Sequence, residues 1–106
     1  MKKNSTVILK MSPVGPFYSQ YDEVAFFEWL DKLECVKKYE GQLRTLYIEV
    51  SLNVNEQELK ELLSLFYRYK INMRQLSVFD QKKFARWFRN EDAYWYKRVF
   101  GKKGIQ

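Results

Sequence analysis

The chain has no histidine, one cysteine, four glycines and two prolines in 106 residues. Each scarcity excludes something. Without histidine, zinc or copper would need an all-carboxylate shell, which those metals rarely use. A serine or cysteine nucleophile would likewise have to find a lysine or carboxylate as its base. Cys35 is alone and cannot close an intrachain disulfide. The glycines, at 15, 41, 101 and 104, never gather into the strand-to-helix turn that cradles a phosphate. No apolar run approaches the roughly 20 residues needed to cross a bilayer. Met1-Lys2-Lys3-Asn4 looks like the start of a leader, but the apolar stretch after it is broken by Lys10 and stops at Ser12-Pro13. The sequence therefore predicts a cytoplasmic protein that is not an enzyme and carries no metal or cofactor.

What is present is apolar and aromatic. Hydrophobic residues make up 46% and aromatics 18%, with eight Phe, eight Tyr and three Trp. That suffices for one domain, residues 1–106, with its own core. It also leaves rings over for the surface, where amphipathic rings favour contact with a partner. The charge is unevenly placed. Residues 81–106 hold eight basic side chains against Glu91 and Asp92, which accounts for the whole net charge of +6. Residues 1–80 are balanced. A neutral body with a cationic end attracts an anionic partner in a salt-dependent way.

The local patterns predict the order β-α-β-α-β-α(α). Ser5 to Met11 is β-branched and apolar and predicts a first strand, ended by the breaker cluster Ser12-Pro13-Val14-Gly15-Pro16. A helix is expected from about Tyr21 to Lys37, with Phe26, Leu30 and Leu33 on one face and Ser19 or Asp22 as its cap. Leu43 to Leu52 alternates as a second strand. Asn55 with Glu58 forms a capping-box pattern, and Val54 with Leu59 a hydrophobic staple. The helix they open carries Leu59, Leu62, Leu63 and Phe66 and runs to about Asn72. Met73 to Phe79 is expected as a third strand. Asp80 is the expected cap of a last helix, which carries Phe84, Trp87 and Phe88 and is either interrupted or only turned outward at Asn90-Glu91-Asp92. Gly101 suits its C-terminal cap, and residues 102–106 a frayed tail. A strand–helix–strand unit of this length predicts a right-handed crossover. The expected fold is thus a single small α/β domain whose three-stranded sheet has at least one parallel pair packed against helices.

Candidate catalytic groups are weak. Glu56, Glu58 and Glu61 cluster at a helix start, where the macrodipole favours acids. The carboxylate pairs Asp22-Glu23, Glu28-Asp31 and Glu91-Asp92 lie on helix starts or polar faces. Cys35, beside Leu33 and Val36, reads as a partly buried small apolar group. The positive signal is the basic and aromatic C-terminal quarter. Lys82, Arg86 and Arg89 are spaced to share a helix face, and Lys97 and Arg98 add charge beyond them. The expected contact residues are Arg86, Arg89, Tyr94, Trp95, Lys97 and Arg98. Arginine and aromatic side chains dominate energetic protein interfaces, and they also pair with phosphates and stack on bases. The same residues therefore serve an acidic protein or a nucleic acid.

The stretches Asn53-Val54-Asn55-Glu56-Gln57-Glu58-Leu59 through Phe66-Tyr67-Arg68-Tyr69, and Trp87-Phe88-Arg89-Asn90 through Trp95-Tyr96-Lys97-Arg98-Val99-Phe100-Gly101, give a chain that resembles the small bacterial immunity proteins of contact-dependent growth inhibition systems. That resemblance implies a role: one-to-one binding of a cognate toxin domain, commonly a nuclease, with its active or substrate-binding surface occluded. Inhibitors of cationic nucleases are commonly acidic, so a +6 chain would need an acidic patch on the toxin or would use its own neutral body. Glu28, Asp31, Glu34 and Glu40 are the acidic candidates there. The alternative is a small nucleic-acid-binding protein with Arg86, Arg89, Lys97 and Arg98 on phosphates and Tyr94 or Trp95 stacking. A homodimer through an open sheet edge is a further expectation.

Overall fold

The computed structural model describes residues 5–101. The expected frayed tail, with Lys102 and Lys103, lies outside them. In chain order the elements are β1 (Thr6–Met11), α1 (Gln20–Lys32), β2 (Val36–Gln42), β3 (Thr45–Ser51), α2 (Glu56–Arg68), two 3-10 segments (Met73–Phe79 and Lys82–Phe84), and the short helices α3 (Ala85–Phe88) and α4 (Tyr96–Phe100).

The three strands lie in the order β1-β3-β2, and both pairings are antiparallel. The expected parallel pair is absent. Two local causes account for this. First, α1 stops at Lys32, five residues before the expected end, and residues 36–42, expected partly as helix and partly as turn, form a strand. This strand joins β3 through the two residues Leu43-Arg44, since Gln42 pairs with Thr45. A two-residue loop can only return the chain antiparallel. Second, Met73–Phe79 is not a strand. Its buried residues are Met73, Leu76 and Phe79, a spacing of three that matches the 3-10 turn. Asn72 opens it by accepting the Arg74 amide at 2.9 Å. Because β1 and β2 are both antiparallel to β3, they run the same way on either side of it, and α1 bridges them without their touching.

The inner face of the sheet carries Leu9 and Met11 of β1 and Leu46, Ile48 and Val50 of β3. These join Phe26 and Leu30 of α1, Leu59, Leu62, Leu63, Leu65 and Phe66 of α2, and Leu76, Phe79, Phe88 and Val99 in one core. The outer face keeps Ile8, Lys10, Lys38 and Glu40 exposed. Each edge is managed differently. On β1, the Gln75 side-chain amide accepts from Lys10 N at 2.7 Å and donates to Lys10 O at 2.8 Å, as a neighbouring strand would. On β2, a register shift between Val36 and Lys38 and a row of charged side chains blunt the edge.

The helix starts follow the sequence. Ser19 accepts the Asp22 amide. Asn55 and Glu58 form both bonds of the capping box, at 2.8 and 3.0 Å, with Val54 and Leu59 buried beside it. α2 ends in a Schellman arrangement, with Ile71 N bonded to Phe66 O at 2.9 Å and Lys70 N to Tyr67 O at 3.3 Å. Lys70 takes the left-handed position, φ 58°, where glycine is the usual residue.

Leu43 is the other non-glycine residue with positive φ, 57°, and it is fully exposed. A β-carbon there costs roughly 1 kcal/mol, and the leucine recovers nothing by burial. Leu43→Gly is therefore expected to raise the unfolding free energy by about 0.5–1 kcal/mol, read as a higher urea midpoint at unchanged m-value. A lower midpoint would show that the hairpin loop is not strained at this residue.

Candidate functional site

The expected contact residues of the C-terminal quarter do not lie on one continuous helix. The chain breaks after α3, where Asn90 accepts the Asp92 amide at 3.0 Å, and helix resumes only at Tyr96. The supposed common face of Lys82, Arg86 and Arg89 is therefore not a helix face: Lys82 lies in a 3-10 turn and Arg89 caps α3. Arg89 is held by Asp80, with Nε 3.1 Å from both carboxylate oxygens and a further bond from Nη2. It also covers the Phe100 ring at 4.6 Å. Asp80 is thus an ion-pair partner rather than the expected helix cap. Trp95 is partly buried, donates its indole N–H to Phe88 O at 2.9 Å, and meets Trp87 edge to face at 5.8 Å. Trp95 therefore serves as a packing residue. Arg86, Arg89, Tyr94, Lys97 and Arg98 are exposed. Tyr94 meets the Tyr67 ring at 4.8 Å, and Arg98 lies over the same Tyr67 at 5.2 Å.

The acidic candidates of the body fare differently. Asp31 accepts the Tyr39 hydroxyl at 2.7 Å, and Glu40 lies on the outer sheet face. Glu28 and Glu34 instead converge with Glu58 and Glu61 on a groove of about 690 Å³ between α1 and the start of α2. Trp29 lines it and donates its indole N–H to Glu61 at 2.9 Å, while Gln57 holds the second Glu61 oxygen at 3.1 Å. Glu58 is fixed by the capping box. Glu28 and Glu34 make no ion pair among the described residues, and Lys32 is the one cation in the lining. Among the described residues, no group of three or more potential ligands is placed to hold a metal. Glu58 and Glu61 were legible only as complements of the helix dipole. Their meeting with Glu28 and Glu34 depends on how α1 packs beside α2, which no local pattern specifies.

Cys35 is buried between α1 and β2, and its carbonyl accepts the Ser51 amide at 2.8 Å. Burial, with the nearby Glu58 carboxylate adding to it, pushes the thiol pKa from 9.0 up to about 11. Two tyrosines are raised as well, Tyr39 by its bond to Asp31 and Tyr69 by burial and its bond to Asp22. Among the described residues no helix is long and apolar enough to cross a membrane. Comparison with family models, curated proteins and solved structures finds no match.

The raised thiol has a signed consequence. A group whose folded pKa exceeds its unfolded value contributes stability that is complete below the unfolded value and lost as pH rises through the folded one. Between pH about 9 and about 11, unfolding should therefore become easier, by up to about 1.4 kcal/mol per pH unit from Cys35. Iodoacetamide at pH 8 is expected to label native Cys35 about a hundredfold more slowly than the urea-unfolded chain. Equal rates would show that the thiol is accessible and unperturbed.

Proposed function

We propose that the protein is an inhibitor of a protein toxin, an immunity protein of the contact-dependent type, and that it meets a cationic toxin surface with the groove between α1 and α2. The observation that carries this reading is the gathering of Glu28, Glu34, Glu58 and Glu61 around Trp29. The objection from net charge loses its force once charge is resolved in space. The chain sums to +6, but that sum describes its C-terminal quarter, and this groove offers four carboxylates against one ammonium. A nuclease presents cationic side chains where it holds phosphates, so a carboxylate-lined groove with an indole in its wall is complementary to that surface. Complementary charge raises the rate of encounter, and the aromatic side chain supplies apolar contact area. Inhibition needs no chemistry from this chain, only occlusion.

Co-expression with a toxin encoded immediately upstream of this chain is expected to protect cells, and the two chains should co-purify in equal amounts. Reversing two charges, Glu28→Lys with Glu34→Lys, touches exposed side chains and should leave the fold intact. It should weaken the complex at least tenfold, mainly through slower association at low salt. Failure to protect against that toxin would overturn the reading. Full protection by the charge-reversed chain would move the contact to another surface.

A further inference from the structure

A second groove system lies at the opposite end of α2. One groove, of about 740 Å³, is lined by Lys10, Arg68 and Lys70 together with Ser12, Tyr18 and Asn72. The other, of about 590 Å³, is lined by Tyr67, Arg68, Lys70, Asn72 and Arg98 and includes no carboxylate. Arg68, Lys70, Ile71 and Asn72 belong to both, so the two grooves adjoin along the turn that ends α2.

The cations come from α2, the turn after α2, and α4, while Lys10 of β1 borders the first groove with its ammonium 5.7 Å from the centre of the Tyr47 ring. None of the ion pairs among the described residues uses Lys10, Arg68, Lys70 or Arg98. The one acid in the lining, Asp22, accepts the Tyr69 hydroxyl at 3.1 Å and the Tyr18 amide at 2.9 Å, and Arg68 and Lys70 outnumber it in that groove. The helix dipole accounts for Arg68 and Lys70 at a C-terminus. It does not account for Lys10 or Arg98, which arrive from other elements. Tyrosines stand at both ends of the track. Tyr18 is 83% exposed at one end, and Tyr67 and Tyr94 are 46% and 49% exposed at the other. Arg98 lies over Tyr67 at 5.2 Å, and its outer guanidinium face is a stacking surface in its own right.

We infer that this track binds single-stranded nucleic acid. A line of cations outside any ion pair, with planar groups at its ends, is what a flexible polyanion with π-faced side groups requires, the cations following phosphates and the planar groups taking bases. An acidic peptide would use the cations and leave the exposed ring faces without a function. The inference is independent of the inhibitor reading. It uses a different face, whose lining retains Arg98 of the residues expected from sequence, with Tyr94 packed beside it on Tyr67.

The test uses the full chain and fluorescein-labelled oligouridylate and oligothymidylate of about 12 nucleotides, with a duplex of equal length as comparison. Anisotropy should report single-strand binding that weakens from about 50 to about 200 mM salt. The log–log slope should be about −2 to −3, from up to four phosphates at about 0.7 each. The duplex should bind more weakly. Arg68→Glu with Arg98→Glu should cost at least tenfold. Lys70→Gly should also weaken binding while melting no lower than the parent, since glycine relieves the positive φ as it removes a cation. Lys37→Glu, exposed on β2 outside both grooves, should change nothing. The inference is overturned by any of four results: no binding at low salt, duplex binding as tight as single-strand binding, an equal loss with Lys37→Glu, or displacement of the oligonucleotide by polyglutamate at equal charge, which would mark an acidic-protein site.

Discussion

The apolar stripe of α2, Leu59, Leu62, Leu63 and Phe66, has no exposure to solvent. Burying each such side chain is worth about 1.5–3 kcal/mol, so the stripe supplies a large part of the driving force that joins sheet and helices. The capping box fixes where α2 begins, and the turn at Lys70 fixes where it ends. Everything of functional interest is placed by those two ends. α1 crosses near the start and brings Glu28 and Trp29 to it, and the turn after α1 adds Glu34. β1 and α4 approach the finish and bring Lys10 and Arg98.

Acids at a helix start and bases at its finish are what the macrodipole selects, at about 0.3–1 kcal/mol each. That preference explains Glu56 and Glu58, and also Arg68. It says nothing about charges contributed by neighbouring elements, and those convert two dipole-complementing ends into two grooves of opposite sign. α2 has 13 residues and so spans about 20 Å. The screening length at physiological ionic strength is about 8 Å. Each groove is therefore felt separately by whatever approaches it, and the net charge of the chain describes neither.

Some of this was legible in the sequence. Helix starts with a side-chain cap, Ser19 and Asn55, were found because the signal is local and chemical. The first strand and the central strand were found because their alternation is clean. β2 was hidden for three physical reasons. Its register shift at Lys37 breaks the two-residue period, its charged residues are those of a guarded edge, and its hairpin turns on Leu43-Arg44 where Asn-Gly would have announced it. Met73–Phe79 was misread because alternate spacing was followed while the buried residues fall every third position. The parallel sheet rested on that misreading. At the candidate surfaces, a list of basic and aromatic residues did not distinguish Arg89, ion-paired with Asp80, or Trp95, packed on Trp87, from Arg98 and Tyr94, which meet at Tyr67.

The central claim is that the carboxylate-lined groove is the face turned to a protein partner. Amide hydrogen exchange on this chain, alone and with a toxin domain against which it protects cells, tests it most directly. The account predicts slowed exchange confined to residues 28–34 and 55–61, with the outer sheet face and residues 86–98 unchanged. Slowing confined to residues 86–98 or to the outer face of the sheet, with 28–34 and 55–61 unchanged, would contradict it.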